Sequence, residues 1–174
     1  IMAYEESYGY MIGNYGRDKD AVTASMLIAE MAAHYFEKGM TLLQAMDSLY
    51  EKYGYYAEKT LNLVMPGIDG LEKMQNLMTR LRENPPVEIC GVKVLRERDY
   101  ASGKIIVPGL GLVDKTHIVG SNVLYFELDD DTAFIVRPSG TEPKIKIYIL
   151  VSGESKQACS DKIEKYAEYA QELK

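Results

Sequence analysis

The chain has 174 residues, of which 47% are hydrophobic and 26% charged, and its formal net charge is −6. This composition is that of an ordinary globular protein, and the length allows one domain or two small ones. The negative charge argues against nucleic-acid binding, which needs a basic face. The longest apolar stretch, 105–113, is interrupted by a proline and two glycines and is too short to span a membrane.

The cysteines and histidines show no metal-site or redox pattern. Cys90 and Cys159 lack any metal-binding or redox spacing, so we expect free thiols in a reducing cytoplasm. His34 and His117 have no Cys or carboxylate pattern around them, and no metal site is expected. The acidic run 127–131 lacks the glycine and the spaced oxygens of a calcium loop, and it predicts a solvated hairpin turn.

The N-terminal part of the chain predicts two helices. Asp20 to Phe36 is apolar on most of its circumference, which is typical of a buried helix. Such a helix is expected to pack on a sheet, and the sequence before it holds none. Because the first residue is Ile1 rather than Met, we expect a C-terminal part of something longer. The second helix begins at a capping box, Thr41 to Gln44, and ends at Gly54.

The rest of the chain predicts strands and helices in alternation. Tyr55 to Val64 has the pattern of a strand, and a helix with Asp69 as its N-cap follows, ending before Pro85. The buried side of that helix is predicted to carry Leu71, Met74, Met78 and Leu81. Further strands are predicted at 92–98, 123–128, 132–136 and 144–151, and Ser155 caps a last helix.

This order of elements predicts the α+β class, with helices packed on one face of an antiparallel sheet. Helices of a truncated α/β domain are expected to precede it. The boundary is placed near Gly54–Tyr56, which gives domains 1–55 and 56–174.

The segment from Arg137 to Pro143 is the strongest candidate for a binding site. It joins two predicted strands and contains a guanidinium, two hydroxyls and a glycine: Arg137, Ser139, Thr141 and Gly140. Such a donor-rich loop can cradle a phosphate, since Arg donates two parallel hydrogen bonds and Gly lets the backbone approach closely and take positive φ. An Arg–Glu pair with hydroxyls that bond their own backbone is the alternative. A strand follows the loop, so it is not a nucleotide P-loop.

A second polar group lies near the N-terminus. Glu5 and Ser7 are two residues apart, and a carboxylate and a hydroxyl so spaced on an extended loop can hold adjacent sugar hydroxyls. A turn or helix cap is the alternative for this pair. Arg17 and Lys19 precede a helix, where cations oppose the helix dipole and therefore need another reason to be there. A solvated charge cluster is the alternative for these two.

The two segments together resemble one family. Residues 137–148 resemble the phosphate-binding loop of the α-D-phosphohexomutases, the phosphoglucomutase/phosphomannomutase family. Tyr4 to Gly9 is similar to the family's sugar-binding loop, and Arg17 to Ala21 to the basic segment after it. The resemblance implies the end of a third domain and a complete fourth domain, the latter with a TATA-box-binding-protein-like fold.

The resemblance also implies roles for the candidate residues. Arg137, Ser139, Gly140 and Thr141 would clamp the phosphate that is not transferred, with Lys146 as a neighbouring cation. Glu5 and Ser7 would orient the sugar, and Arg17 and Lys19 would hold sugar or phosphate at the mouth of the cleft. Tyr4 and Tyr8 are weaker candidates, because most tyrosines at the N-terminal end have core-like spacing.

Family members transfer a phosphoryl group from a phosphoserine and hold Mg²⁺ in an Asp-Gly-Asp-x-Asp-Arg loop, with a bisphosphate such as glucose 1,6-bisphosphate as intermediate. This sequence contains neither that loop nor a Thr-Ala-Ser-His-Asn segment, so we expect binding of a hexose phosphate without catalysis. The Glu-Glu-Ser-Tyr-Gly loop favours glucose, and the phosphopentomutase branch shares much of the pattern. Two other hypotheses are a stand-alone phosphosugar-binding module and a scaffold that uses the 20–36 helix.

Overall fold

The structure, a computed structural model, describes residues 2–5 and 8–173. It consists of two units, Ile1–Tyr53 and Gly54–Lys174. We refer to them as the N-terminal unit and the C-terminal unit. No helix among the described residues is both long enough and apolar enough to cross a membrane.

The N-terminal unit is a β-hairpin followed by two helices. The antiparallel strands β1 (Met2–Tyr4) and β2 (Tyr10–Ile12) place Tyr4 opposite Tyr10. The helices are α1 (Ala21–Glu37) and α2 (Leu42–Tyr53). The predicted capping box at α2 is confirmed: the Thr41 amide donates to Gln44 Oε1 (2.8 Å), and the Gln44 amide donates to Thr41 Oγ1 (3.2 Å).

The first helix, which was predicted to pack on a sheet that the sequence before it lacks, is largely exposed in this structure. Ala24 is the one buried residue described in α1, whereas Val22, Met26 and Phe36 are 79%, 65% and 82% exposed. Apolar periodicity reports which surface a helix can bury, and it does not report what covers that surface.

The C-terminal unit is a large antiparallel sheet with two helices. Its helices are α3 (Gly70–Glu83) and α4 (Lys156–Glu172), which are preceded and separated by strands. The strands are β3 (Tyr55–Val64), β4 (Glu88–Ile89), β5 (Val92–Asp99), β6 (Lys104–Val107), β7 (Gly111–Lys115), β8 (Leu124–Leu128), β9 (Ala133–Pro138) and β10 (Lys144–Gly153). Their order in the sheet is β3-β10-β9-β8-β5-β6-β7, and β4 pairs with β5.

Alternation along the central strands shows which face of the sheet carries the core. In β10, Ile145, Ile147 and Ile149 are fully buried, and they belong to one cluster with buried residues of α3 and α4. The residues between them point to the other face. Both helices therefore cover one face of the sheet, and the predicted α+β class is confirmed.

The two helices differ in how closely they follow their predicted pattern. The Ser155 side chain accepts a hydrogen bond from the Ala158 amide (3.1 Å), so the predicted N-cap of α4 is confirmed. Asp69 is the N-cap of α3 but makes no capping hydrogen bond with its side chain. Leu71 was predicted to be buried and is 54% exposed, while Leu77 is buried instead.

The β6–β7 hairpin was missed by the sequence pattern. Pro108 and two glycines in this stretch look like breaks. In the structure Pro108 and Gly109 lie in the turn that joins the two strands, and Gly111 is the first residue of β7. Gly109 takes a φ of 83° there, and the Leu110 amide donates to the Val107 carbonyl (3.0 Å). Interruption by Pro and Gly therefore marked a tight turn between strands.

The acidic run forms the predicted turn between β8 and β9, but one of its side chains is not simply solvated. Asp130 Oδ2 accepts a hydrogen bond from the hydroxyl of Tyr166 in α4 (3.0 Å). The Lys162 ammonium donates to the Asp130 carbonyl (2.7 Å). These two hydrogen bonds connect the turn to α4. Both cysteines are free thiols, as predicted.

Candidate functional site

The N-terminal candidate residues meet at the tip of the β1–β2 hairpin. The Glu5 amide donates to the Gly9 carbonyl (2.9 Å), which closes the loop between the two strands. The Asp20 amide donates to the Tyr10 carbonyl (2.9 Å) and brings the start of α1 back to this hairpin. The chain therefore returns to Glu5 just where the basic segment ends.

Lys19 is paired with the carboxylate that was predicted to bind sugar. Its ammonium lies 3.2 Å from Glu5 Oε1 and 3.7 Å from Asp18 Oδ1. The hydrogen bond to Glu5 and the charge of Glu5 are the largest causes that raise the pKa of Lys19 above its ordinary value. This ion pair is a reason for a cation to lie beside the start of a helix, where the helix dipole alone disfavours it.

A cavity of about 300 Å³ lies at this corner of the N-terminal unit. Three predicted residues line it together, namely Glu5, Arg17 and Lys19, and so does the weaker candidate Tyr4. Tyr8 is 86% exposed. Ser7 lies outside the described residues, so its predicted role as a sugar ligand stays a prediction.

Asp20 also shapes this corner, and this role was not predicted from the sequence. Its carboxylate accepts hydrogen bonds from the Thr23 hydroxyl, the Tyr15 hydroxyl (2.8 Å) and the Val22 amide (2.9 Å). Mainly because of the bonds from Thr23 and then Tyr15, the pKa of Asp20 falls to about 2. The Asp before an apolar helix was the available signal, because it is a typical N-cap. The carboxylate fixes the segment that carries Arg17 and Lys19.

The second candidate group is the loop from β9 to β10 in the C-terminal unit. The Ser139 amide donates to the Lys144 carbonyl (2.9 Å), which narrows the loop at its base. Ser139 Oγ accepts from the Glu142 and Thr141 amides at 3.3 and 3.4 Å. The alternative of a hydroxyl that bonds its own backbone is therefore realised for Ser139. The predicted alternative of an Arg137–Glu142 ion pair does not form, since Glu142 pairs with Lys144.

The register of β9 and β10 places two cations side by side. Arg137 lies directly opposite Lys146, and their strand neighbours Val136, Ile145 and Ile147 are fully buried on the helix-covered face. Arg137 and Lys146 therefore lie on the uncovered face. Among residues 2–5 and 8–173, no carboxylate forms an ion pair with Arg137.

Gly140 differs from its predicted geometry. It is exposed, and it is not among the glycines with positive φ. A β-carbon on Gly140 would have no heavy atom within 4 Å. The packing of the protein itself therefore does not require a glycine at this position.

The two groups coincide with two matches to family models. Residues 1–53 match the model described as phosphoglucomutase/phosphomannomutase, alpha/beta/alpha domain III. Residues 92–165 match the phosphoglucomutase/phosphomannomutase C-terminal domain. Together the matches cover most of the chain, in the order of the family's domains. The chain belongs to the phosphoglucomutase/phosphomannomutase family.

Individual relatives in the phosphoglucomutase/phosphomannomutase family agree with this assignment. A phosphoglucomutase of Staphylococcus aureus (strain bovine RF122 / ET3-1) is 36% identical over 149 residues, which are 86% of this chain and 27% of the relative. A phosphoglucomutase of Staphylococcus saprophyticus is 33% identical over 156 residues, 89% of this chain and 28% of the relative. The chain thus spans about a quarter of the length of the curated relatives it matches.

A solved structure shows the same fold. The crystal structure of pp63/parafusin, a phosphoglucomutase from Paramecium in its open form, superposes with a TM-score of 0.60 at 19% identity. The match covers 99% of this chain and 30% of that protein.

Proposed function

We propose that this chain is the substrate-recognition part of a phosphohexomutase that interconverts hexose 1-phosphates and 6-phosphates. In this proposal the C-terminal unit clamps the phosphate that is not transferred, and the N-terminal unit orients the sugar. Support comes from the family membership and from relatives that are named phosphoglucomutases. Those names also favour a glucose phosphate over a mannose or pentose phosphate.

The opposition of Arg137 and Lys146 carries the proposal for the phosphate. Like charges directly opposite each other on neighbouring strands repel each other. An anion between the two cations would offset that repulsion by its attraction to both, and a guanidinium can donate two bonds to one phosphate group. The hydroxyl of Thr141 and the backbone around Gly140 lie on the adjoining loop and can supply further donors.

The cavity beside Glu5 supports the proposal for the sugar. A carboxylate can accept hydrogen bonds from two neighbouring hydroxyls, and Arg17 and Lys19 line the same cavity. Lys19 already contacts Glu5, so a sugar hydroxyl would share or replace that contact. Ser7 would contact the sugar as well, as the family resemblance implies.

The proposed chain binds substrate but does not catalyse alone. Within the described residues no cluster of three His, Cys, Asp or Glu side chains is arranged to hold a metal ion. The Mg²⁺ that the family resemblance implies would be held by a longer parent protein. The phosphoserine and the bisphosphate intermediate would belong to that parent as well. The predicted location of the parent is the cytoplasm.

Titration of the chain with glucose 1-phosphate, followed by NMR, tests the proposal. Arg137→Ala should weaken binding by about tenfold or more, because a charge-assisted bond to phosphate is removed. Lys104→Ala is the matched control, because it removes one exposed positive charge from the more distant strand β6. Equal weakening by both variants would show only general attraction of an anion and would contradict a phosphate site.

A separate measurement tests the absence of catalysis. The chain should show no conversion of glucose 1-phosphate to glucose 6-phosphate, even with Mg²⁺ and glucose 1,6-bisphosphate present. Measurable turnover by this chain would refute the proposal that it binds substrate without catalysing the reaction. In a longer parent, Arg137→Ala should mainly raise KM, and an unchanged KM would count against a phosphate clamp.

A further inference from the structure

A groove of about 440 Å³ lies elsewhere in the C-terminal unit, along α3. We call it the α3 groove. Its floor contains three buried apolar side chains, and its rim three polar ones: Met65, Leu77 and Leu173 below, and Lys73, Asn76 and Arg80 above. The volume lies in the usual range of small-molecule sites, roughly 300–1,000 Å³.

The spacing along α3 explains why one face of the helix presents this mixture. Lys73, Leu77 and Arg80 follow one another at i, i+4 and i+7, and Asn76 lies beside them, so all four share one face. At a rise of about 1.5 Å per residue, Lys73 and Arg80 are separated by roughly 10 Å along the axis. An apolar strip therefore runs between two cations.

The charge of the groove is opposite to that of the chain. Among the described residues that line it there is no carboxylate and there are two cations, in a chain of net charge −6. Lys73 does pair with Asp69 (2.8 Å), but both side chains are more than half exposed, and such surface pairs contribute little. An incoming anion can therefore compete for this lysine.

Arg80 keeps capacity for an anion while it holds the end of α4. One terminal nitrogen donates to the Leu173 carbonyl (3.0 Å), and a guanidinium carries five N–H donors in a planar fork. A carboxylate can take two parallel bonds from such a fork. Asn76, one turn earlier on the same face, can donate from its amide.

We propose that the α3 groove binds an amphipathic organic acid, a molecule with a carboxylate head and an apolar chain of medium length. The head binds Arg80 with help from Asn76. The chain covers Met65 and Leu77. A neutral apolar molecule would leave Arg80 unused, and a small inorganic anion would leave the apolar floor uncovered. This inference does not depend on the sugar-phosphate proposal.

An NMR titration of the isotope-labelled chain with octanoate tests the proposal. Octanoate should shift the signals of Met65, Leu77 and Leu173 in a saturable manner, with a dissociation constant on the order of 1 mM for a ligand of this size. 1-Octanol, which has the same chain without the charge, should bind about tenfold or more weakly. Equal binding of the two, or shifts confined to α1, would overturn the proposal.

Variants of the rim supply the second part of the test. Arg80→Gln should weaken octanoate binding by about tenfold or more, and Lys104→Gln, at an exposed lysine that does not line the groove, should leave it unchanged. Arg80 also supports the end of α4, so Asn76→Asp serves as a second variant that leaves that contact intact. It adds a negative charge beside the proposed carboxylate and should weaken binding too. Unchanged binding in Asn76→Asp would contradict the proposed position of the head.

Discussion

The side chain of Lys19 lies across Gly9 so closely that a β-carbon on Gly9 would be 2.3 Å from Lys19 Cδ and 2.8 Å from Cγ. Real β-carbons do not approach other atoms to that distance. The glycine therefore provides the path by which the ammonium reaches Glu5, 3.2 Å away. Gly9→Ala should displace Lys19 and break this pair.

NMR pH titration of the Lys19 side chain measures that effect. Since Glu5 raises the pKa of Lys19, Gly9→Ala should lower this pKa toward its ordinary value. Gly16→Ala is the control in the same segment, because its β-carbon would have nothing within 4 Å. An unchanged Lys19 pKa in Gly9→Ala would show that Lys19 does not need the space above Gly9.

Gly140→Ala separates ligand binding from protein packing at the phosphate loop. A β-carbon there meets no heavy atom within 4 Å and the backbone is not in the left-handed region, so the free energy of unfolding should change by less than about 0.5 kcal/mol. If phosphate approaches this backbone closely, binding of glucose 1-phosphate should still weaken several-fold. Urea denaturation and NMR titration on the same samples give both quantities. Binding that matches the unsubstituted chain would place the phosphate away from Gly140.

Sequence reasoning was accurate where local chemistry decides the structure. The Thr41–Gln44 box, the Ser155 cap and the strand predicted at 144–151 depend on a few neighbouring residues, and all three are confirmed. It was wrong where the burial of a residue depends on contacts with residues that are distant in sequence. Leu71 has the helical spacing of a core residue, yet the sheet leaves it exposed.

The candidate site shows the same division. A single sequence could indicate Arg137 and Lys146 as cations on two strands, but only the strand register shows that they face each other. Likewise, the contact of Lys19 with Glu5 depends on the hairpin register and on the bond from Asp20 to Tyr10. Pairings across loops are not encoded in the spacing of either segment alone.

Tyr166→Phe tests how firmly the β8–β9 turn is fastened to α4. The Tyr166 side chain is fully buried and its hydroxyl donates to Asp130 Oδ2 (3.0 Å). Phe fills the same space but leaves the carboxylate one donor short, so the free energy of unfolding should fall by about 1–2 kcal/mol. Tyr56→Phe, at a side chain that is 58% exposed, should change it by less than about 0.5 kcal/mol. Equal values from urea denaturation would show that the buried bond contributes nothing.

Glu97→Gln should make the protein more stable above neutral pH. Glu97 is 2% exposed, and its Oε2 has no hydrogen-bond partner among the described residues. Burial, and then the charge of Asp99, raise the pKa of Glu97 to about 7 from 4.5. Because the folded state then holds a proton that the unfolded state releases, stability should fall as pH rises from about 4.5 to about 7.

Gln stays neutral, so the free energy of unfolding of Glu97→Gln should resemble that of the original chain at pH 5 and exceed it by about 1–3 kcal/mol at pH 8. Urea denaturation at both values measures this difference, with the exposed Glu58→Gln as control. Parallel pH curves for the original chain and Glu97→Gln would show that Glu97 ionises equally easily in the folded and unfolded states.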